Sequence, residues 1–172
     1  MINRTDFLGG KIATLKEAKQ HMEVWKMTGR KVVFTNGVFD ILHKGHVTYL
    51  AQAAQHGNRM VVGLNADASV KRLGKGDDRP INDQDARATV LAALSSVDLV
   101  VLFDEDTPLD LIRELQPNVL AKGADYDPEE TDPASKKYVV GSDLVRKNGG
   151  EVVAIPLVDG FSTTGIVEKL RK

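Results

Sequence analysis

Short apolar runs alternate with helical segments along this chain, and this alternation restricts the possible folds more than any other feature. Five valine-rich runs have the length of strands: residues 31–35, 59–64, 99–103, 118–121 and 151–156. Runs that are apolar on both faces indicate strands buried between two layers. Helices between such strands predict parallel pairing with right-handed crossovers. The sequence therefore predicts an α/β fold, a doubly wound parallel sheet of five strands with helices on both faces.

Apolar spacing and capping signals predict helices in the intervening segments. Their expected starts are near residues 14, 43, 82, 107 and 162. Asp85 follows Asn82 at the spacing of a capping box, and Pro108 occupies a first helical position. The last helix carries Ile166 and its apolar neighbours on one side and is expected to run to the C-terminus.

Length and composition indicate one domain of 172 residues, with a helical extension over 1–29 packed on it and an irregular loop region over 127–149. The 23 basic and 24 acidic residues are balanced, which argues against a nucleic-acid or membrane-surface binder. The absence of cysteine excludes thiolate metal sites and cysteine nucleophiles. No run has the length of a signal peptide's apolar core or a membrane span, so a cytoplasmic protein is expected.

The motif His43-Lys44-Gly45-His46 follows the first predicted strand, where a helix begins. Two imidazoles three residues apart on a helical turn face the same way, beside backbone N–H groups that lack helical partners. Such a helix start binds phosphate, and Gly45 has no Cβ to hold a bulky nucleotide away from the backbone. In doubly wound sheets, ligands occupy the crevice at the carboxyl ends of the strands where strand order reverses.

Three segments together resemble the cytidylyltransferase-like nucleotidyltransferases. Residues 35–46 contain the family's His-x-Gly-His box, residues 160–166 resemble its Ser-Thr-Thr motif, and residues 122–126 resemble a segment of its sugar-phosphate members. From about residue 31 onward, the sequence is similar to the D-glycero-β-D-manno-heptose 1-phosphate adenylyltransferases, either stand-alone or as the C-terminal half of a bifunctional kinase/adenylyltransferase. This resemblance implies a Rossmann-like fold. It also implies a reaction in which ATP and the heptose phosphate give ADP-heptose and pyrophosphate for the lipopolysaccharide inner core.

The resemblance also implies roles for individual residues. Catalysis falls to His43, His46 and Lys75. Nucleotide or phosphate binding is expected at Asn36, Gly37, Phe39, Lys44, Gly45, Arg79, Arg87, Lys122, Gly123, Ser162, Thr163 and Thr164. Substrate binding is expected at Asp40, Asn65, Asp67, Asp125 and Tyr126. For Asp40 the sequence leaves two roles open, namely hydrogen bonding to sugar hydroxyls and orientation of Mg²⁺.

The expected cofactor is Mg²⁺ that arrives with ATP, with no metal ion resident in the protein. Zinc is disfavoured, because His43 and His46 supply only two ligands and the chain has no cysteine. The expected partners are ATP and a sugar 1-phosphate, without nucleic acid or membrane, and the resemblance implies a homodimer or higher homo-oligomer.

Two other functions and several structural interpretations stay open at this point. The chain could be a cytidylyltransferase acting on glycerol 3-phosphate or another alcohol phosphate, since adenine and cytosine are commonly read by backbone groups. It could also be a nucleotide-binding module without catalysis. A His pair on one helical face is often structural, Ser162 is compatible with an ordinary N-cap, and Arg87 could be a solvated charge.

Overall fold

A computed structural model of the chain describes residues 8–74 and 78–170. Its strands are β1 (Ile12–Ala13), β2 (Val32–Gly37), β3 (Arg59–Asn65), β4 (Leu99–Phe103), β5 (Val119–Gly123) and β6 (Glu151–Ile155). Its helices are α1 (Leu15–Met27), α2 (Lys44–Ala54), α3 (Asp67–Arg72), α4 (Gln84–Ala92), α5 (Leu109–Leu115), α6 (Ser142–Lys147) and α7 (Thr163–Leu170). Every strand predicted from the sequence is present, with bounds that differ by at most two residues.

All strand pairs are parallel, in the order β1-β4-β3-β2-β5-β6. The chain builds outward from β2 through β3 to β4, and then returns to the other side of β2 for β5 and β6. Strand order therefore reverses between β2 and β5, as a doubly wound sheet requires. The sheet has six strands instead of the predicted five, because Ile12 and Ala13 pair with β4. Two residues are too few for periodicity to reveal a strand.

Side chains alternate between the two faces of the sheet, and each face has its own apolar core. In β2, Val33 packs on one face, whereas Val32 and Phe34 pack on the other. Residues of α2 and α4 cover the first face. Residues of α1, α5 and α6 cover the second. Helices on both faces confirm the predicted class.

The helices differ from the prediction in several places. Pro108 is the N-cap of α5, which begins at Leu109, so the proline precedes the first helical position. Helix α4 is capped by Asp83, whose side chain accepts from the Ala86 N–H at 2.8 Å, and not by Asn82. Helix α3 begins at Asp67, and Ala66 at its N-cap provides no side-chain cap. Helix α6 lies inside the region 127–149 that was predicted to be irregular; its six residues follow Gly141, which also lacks a cap side chain. Helices this short show little periodicity.

Helix α7 has the predicted apolar side, but none of its described residues is buried, and Leu170 is 79% exposed. Among the residues that the structure describes, no helix combines the length and apolarity needed to cross a membrane.

Candidate functional site

A cavity of about 710 Å³ opens at the carboxyl ends of β2 and β5, where the strand order reverses. This is the position predicted from the topology. Many of the predicted site residues line it: Asn36, Gly37, Phe39, Asp40, His43, Gly45, His46, Arg79, Lys122, Gly123, Asp125, Tyr126, Ser162, Thr163 and Thr164. It is also lined by five residues to which the sequence assigned no role, namely Val38, Tyr49, Leu157, Val158 and Phe161.

The two imidazoles of the motif stack on each other at the start of α2. Their ring centroids are 3.8 Å apart, and the planes differ by 18°. His43 is the N-cap, and its Nδ1 accepts a hydrogen bond from the His46 backbone N–H at 3.3 Å. In the neutral ring this leaves the proton on Nε2, as a donor. Burial lowers the pKa of His43, which favours the neutral form.

Phe39 supports the His pair from the loop after β2. Its ring meets His46 edge-on, with centroids 5.2 Å apart. The Phe39 backbone has φ 46°, a left-handed conformation that is costly for a bulky residue. A Cβ on Gly37 would lie 2.9 Å from the Phe39 ring, so the glycine makes room for this ring.

Gly45 is surrounded by side chains. A Cβ there would lie 3.0 Å from the His43 ring and 3.1 Å from Cβ of Phe161. The packing around the His stack therefore favours a glycine at this position, whatever ligand approaches it. Lys44 lies beside the motif with its Nζ 5.5 Å from the centroid of the Phe161 ring, and it is not among the described residues that line the cavity.

Tyr49 fixes α2 to the two central strands. Its hydroxyl lies 2.7 Å from Thr35 Oγ1 and donates to the Ala121 carbonyl at 3.2 Å. The β2–β5 ladder pairs Val33 with Val119 and Phe34 with Leu120, so the tyrosine bridges the next positions, where the strands part. Burial raises the pKa of Tyr49 to about 12, which keeps the hydroxyl protonated.

Asp40 lies at the rim of the cavity, but its side chain has no exposed surface. The carboxylate accepts from Arg79 Nε at 2.5 Å and from the backbone N–H groups of Ile81 and Asn82 at 2.9 Å. Burial alone would raise the pKa of Asp40, but these backbone hydrogen bonds and the guanidinium outweigh it and lower the pKa.

Three predicted site residues besides Lys44 lie outside the described lining of the cavity. Arg87 is buried and donates to the Val38 carbonyl and to an Asp67 carboxylate oxygen, each at 2.7 Å. The Asn65 amide donates to Ser69 Oγ at 3.0 Å. Arg87, Asp67 and Asn65 are absent from the described lining of the cavity, so the structure does not bring them to the site. Arg87 is neither a solvated charge nor a pocket cation.

The β5 side of the cavity carries the predicted 122–126 segment. Lys122 Nζ lies 5.3 Å from the centroid of the Tyr126 ring. A Cβ on Gly123 would lie 2.6 Å from an Asp125 carboxylate oxygen, so this glycine admits the aspartate. Lys75, predicted to be catalytic, lies outside the described residues.

The start of α7 supplies the opposite rim. Ser162 Oγ accepts from the Gly165 N–H at 3.0 Å and so acts as an ordinary cap for this helix. Thr163 and Thr164 follow it in the cavity wall. Two helix starts, those of α2 and α7, therefore meet at one cavity, with Phe161 of one rim 6.3 Å from His43 of the other between ring centroids.

Within residues 8–74 and 78–170, no three His, Asp or Glu side chains are grouped so that they could hold a metal ion. The Asp40 carboxylate is occupied by its own donors, and Asp125 is the other carboxylate in the described lining. These few carboxylates fit a cation whose ligands are mainly phosphate oxygens and water, as is usual for Mg²⁺ bound to a nucleotide.

Comparison with known proteins identifies the family of this chain and supports its fold. A family model described as cytidylyltransferase-like matches residues 34–169. Proteins named bifunctional protein HldE are similar: the one from Magnetococcus marinus is 56% identical over 160 residues, and the one from Azorhizobium caulinodans is 52% identical over 162. These alignments cover 93% and 94% of the chain but 31% and 32% of the relatives, so the chain spans about a third of their length.

Two solved structures share the architecture. A lipopolysaccharide core biosynthesis protein from Thermoplasma volcanium has a TM-score of 0.57 at 28% identity, covering 76% of this chain and 98% of that protein. A pantoate-beta-alanine ligase from Francisella tularensis also has a TM-score of 0.57, but at 14% identity. It covers 94% of this chain and 79% of the ligase, and it is evidence for the fold alone.

Proposed function

Because the chain belongs to the cytidylyltransferase-like family, we propose that it transfers AMP from ATP to D-glycero-β-D-manno-heptose 1-phosphate, releasing pyrophosphate. The observation that carries this proposal is the meeting of two helix starts, one bearing His43 and His46 and the other Ser162, at a single cavity. Helix starts bind anions, and a triphosphate needs several such donors. Identity to relatives at 51–56% and the resemblance of the 122–126 and 160–165 segments favour the heptose phosphate as acceptor.

The chemistry needs alignment and charge neutralisation more than a strong base. The acceptor's phosphate oxygen is already anionic, so it attacks the α-phosphorus of ATP in line. The bond from the α-phosphorus to the bridging oxygen breaks, and pyrophosphate leaves with that oxygen and its electrons. No proton transfer is required of the protein. We assign His43 Nε2 and the His46 ring to the triphosphate, as donors whose hydrogen bonds strengthen as charge develops.

Ser162, Thr163 and Thr164 are assigned to the β- and γ-phosphates through hydroxyl and helix-start N–H groups. Ser162 Oγ accepts from Gly165, yet its own O–H proton is still available to a phosphate oxygen. Mg²⁺ bound to the triphosphate would supply further charge neutralisation, with Asp125 as the carboxylate in reach of the cavity. Lys75 stays a predicted catalytic cation, and a single cytoplasmic domain that forms a homo-oligomer stays a prediction.

The deciding experiment is pyrophosphate release with Mg²⁺, with ATP or CTP crossed against heptose 1-phosphate or glycerol 3-phosphate. We expect release with ATP and the heptose phosphate only, together with ADP-heptose identified by mass spectrometry. Release with CTP or glycerol 3-phosphate instead would replace the substrates and keep the mechanism. Absence of release in all four mixtures, by protein that still binds nucleotide, would contradict the proposal and favour the non-catalytic module.

A further inference from the structure

Asp40 is saturated by protein donors. Its Oδ2 accepts from Arg79 Nε at 2.5 Å and from Ile81 N–H at 3.0 Å, and its Oδ1 accepts from the N–H groups of Ile81 and Asn82, both at 2.9 Å. The Asn82 side chain also donates to the Asp40 backbone carbonyl at 2.6 Å. With none of its side-chain surface exposed, this carboxylate has no oxygen left for a sugar hydroxyl or a metal ion.

Arg79 is the opposite case. It lines the cavity, with 11% of its side chain exposed. Its hydrogen bond within the described part of the chain uses Nε, and neither Nη donates to a described residue. When the guanidinium is bonded through Nε, its two Nη groups remain as parallel donors at the far end of the side chain. This pair, the end-on fork, matches two oxygens of one phosphate.

Arg87 shows what a purely structural arginine looks like in the same fold. Its Nε donates to the Asn82 carbonyl at 3.0 Å, Nη1 to the Val38 carbonyl at 2.7 Å and Nη2 to Asp67 at 2.7 Å. All of its nitrogens serve the protein, and none of its side chain is exposed. Arg79 differs at its two Nη groups, which donate to no described residue and can therefore donate to a ligand.

From this contrast we infer that Asp40 is a positioning residue that acts through Arg79, whose end-on fork binds a phosphate group of the substrates. The inference rests on the proposed function for the identity of those substrates. The phosphate belongs either to the nucleotide or to the sugar, since both carry the same oxygens into one cavity. Asp40 fixes the guanidinium by its Nε and, through Ile81 and Asn82, fixes the segment that carries it.

A double-mutant cycle tests whether Asp40 acts on the ligand through Arg79. The variants are Arg79→Ala, Asp40→Asn and the two combined, each studied at a temperature where it is fully folded. Affinities for ATP and for inorganic phosphate come from calorimetry, and KM for each substrate comes from pyrophosphate release. We expect each single change to weaken one phosphate ligand about 10- to 100-fold, as for loss of a charged hydrogen bond. Asp40→Asn should add less than about twofold to Arg79→Ala.

The affinity and KM measurements together distinguish the two sources of phosphate. A loss of ATP affinity assigns the fork to the nucleotide, whereas a raised KM for the sugar phosphate with unchanged ATP affinity assigns it to the acceptor; either supports the inference. Unchanged binding and KM in Arg79→Ala would overturn it. Multiplied losses in the double variant would overturn it too, because Asp40 would then contact the ligand itself.

Two further variants serve as controls. Arg79→Lys should be about as impaired as Arg79→Ala, since an ammonium drawn to Asp40 presents no fork; near-normal binding would refute the fork even if Asp40→Asn fails to fold. Arg113→Ala removes an exposed arginine paired with Asp110 on α5, outside the cavity, and should behave as wild type. If wild-type protein makes no product, the proposed function fails, whereas the calorimetric cycle still tests Arg79.

Discussion

Replacing Tyr49 with Phe removes one oxygen atom from the point where β2 and β5 separate. That oxygen lies 2.7 Å from Thr35 Oγ1 and 3.2 Å from the Ala121 carbonyl, and all three residues are buried. Phenylalanine keeps the ring's packing, so the loss is confined to hydrogen bonding. A buried group left without its partner costs about 1–3 kcal/mol.

The expected free energy of unfolding therefore falls by about 1–3 kcal/mol. For a chain of this size each kcal/mol shifts the melting midpoint by about 2–4 °C, so a fall of roughly 2–12 °C is expected. Thermal unfolding followed by circular dichroism measures it. We also expect kcat to fall more than KM for ATP rises, because α2 positions His43 and His46 and small displacements of reacting groups are costly.

Tyr138→Phe is the matched control. The Tyr138 hydroxyl donates to Asp143 at 3.1 Å in an exposed setting, so its loss should stay within about 0.5 kcal/mol. Equal melting midpoints for the two variants would refute the claim that the Tyr49 hydroxyl holds the crevice together. A destabilised Tyr49→Phe with unaltered kcat would restrict its role to stability.

Three other changes have outcomes that follow from the geometry. His46→Ala should lower kcat by about 10²–10³-fold with ATP affinity nearly unchanged, whereas exposed His56→Ala should leave both unaltered; loss of affinity alone in rapid kinetics would assign His46 to ground-state binding. Asp40 has a lowered pKa, so its stabilisation is present above the ordinary value of 3.8 and is lost as pH falls below it; Asp40→Asn should flatten that part of the acid melting profile, and an unchanged slope would contradict this. Gly63→Ala places a Cβ 2.7 Å from the Phe34 ring and should cost about 1–3 kcal/mol by denaturant unfolding, against a near-neutral Gly9→Ala, where nothing lies within 4 Å.

The sheet and the position of the site could be predicted because both depend on local patterns. Valine-rich runs mark strands that are buried on both faces, and the helical stretches between them require parallel pairing. The His43 motif follows the first of these runs directly, so finding the central strand also located the crevice. Edge strand β1 and the six-residue helix α6 were missed because two or six residues are too few to establish a hydrophobic period.

The direction in which a charged side chain points was harder to predict. Arg87 was assigned to phosphate because the family resemblance implies phosphate-binding cations between the second and third predicted strands, but it lies on the buried face of α4 with Ala88 and Leu91. Its spacing of four residues from Leu91 places both on one helical face, and this signal could have indicated an inward arginine. An inward arginine needs acceptors, and Asp67 is one of them.

Tyr49 shows why some of the site could not be read from the sequence at all. One turn beyond His46, on the buried side of α2, a tyrosine has the pattern of a core residue, and its ring does pack in the core. What distinguishes it is a hydroxyl placed between Thr35 and Ala121, two residues far apart in sequence that become neighbours only when β5 crosses beside β2. A doubly wound sheet opens its ligand crevice by letting those two strands diverge, which leaves backbone and hydroxyl groups without ladder partners. The tyrosine hydroxyl bonds to both strands from the helix that carries the histidines, so it connects the opening of the crevice with the placement of the His pair.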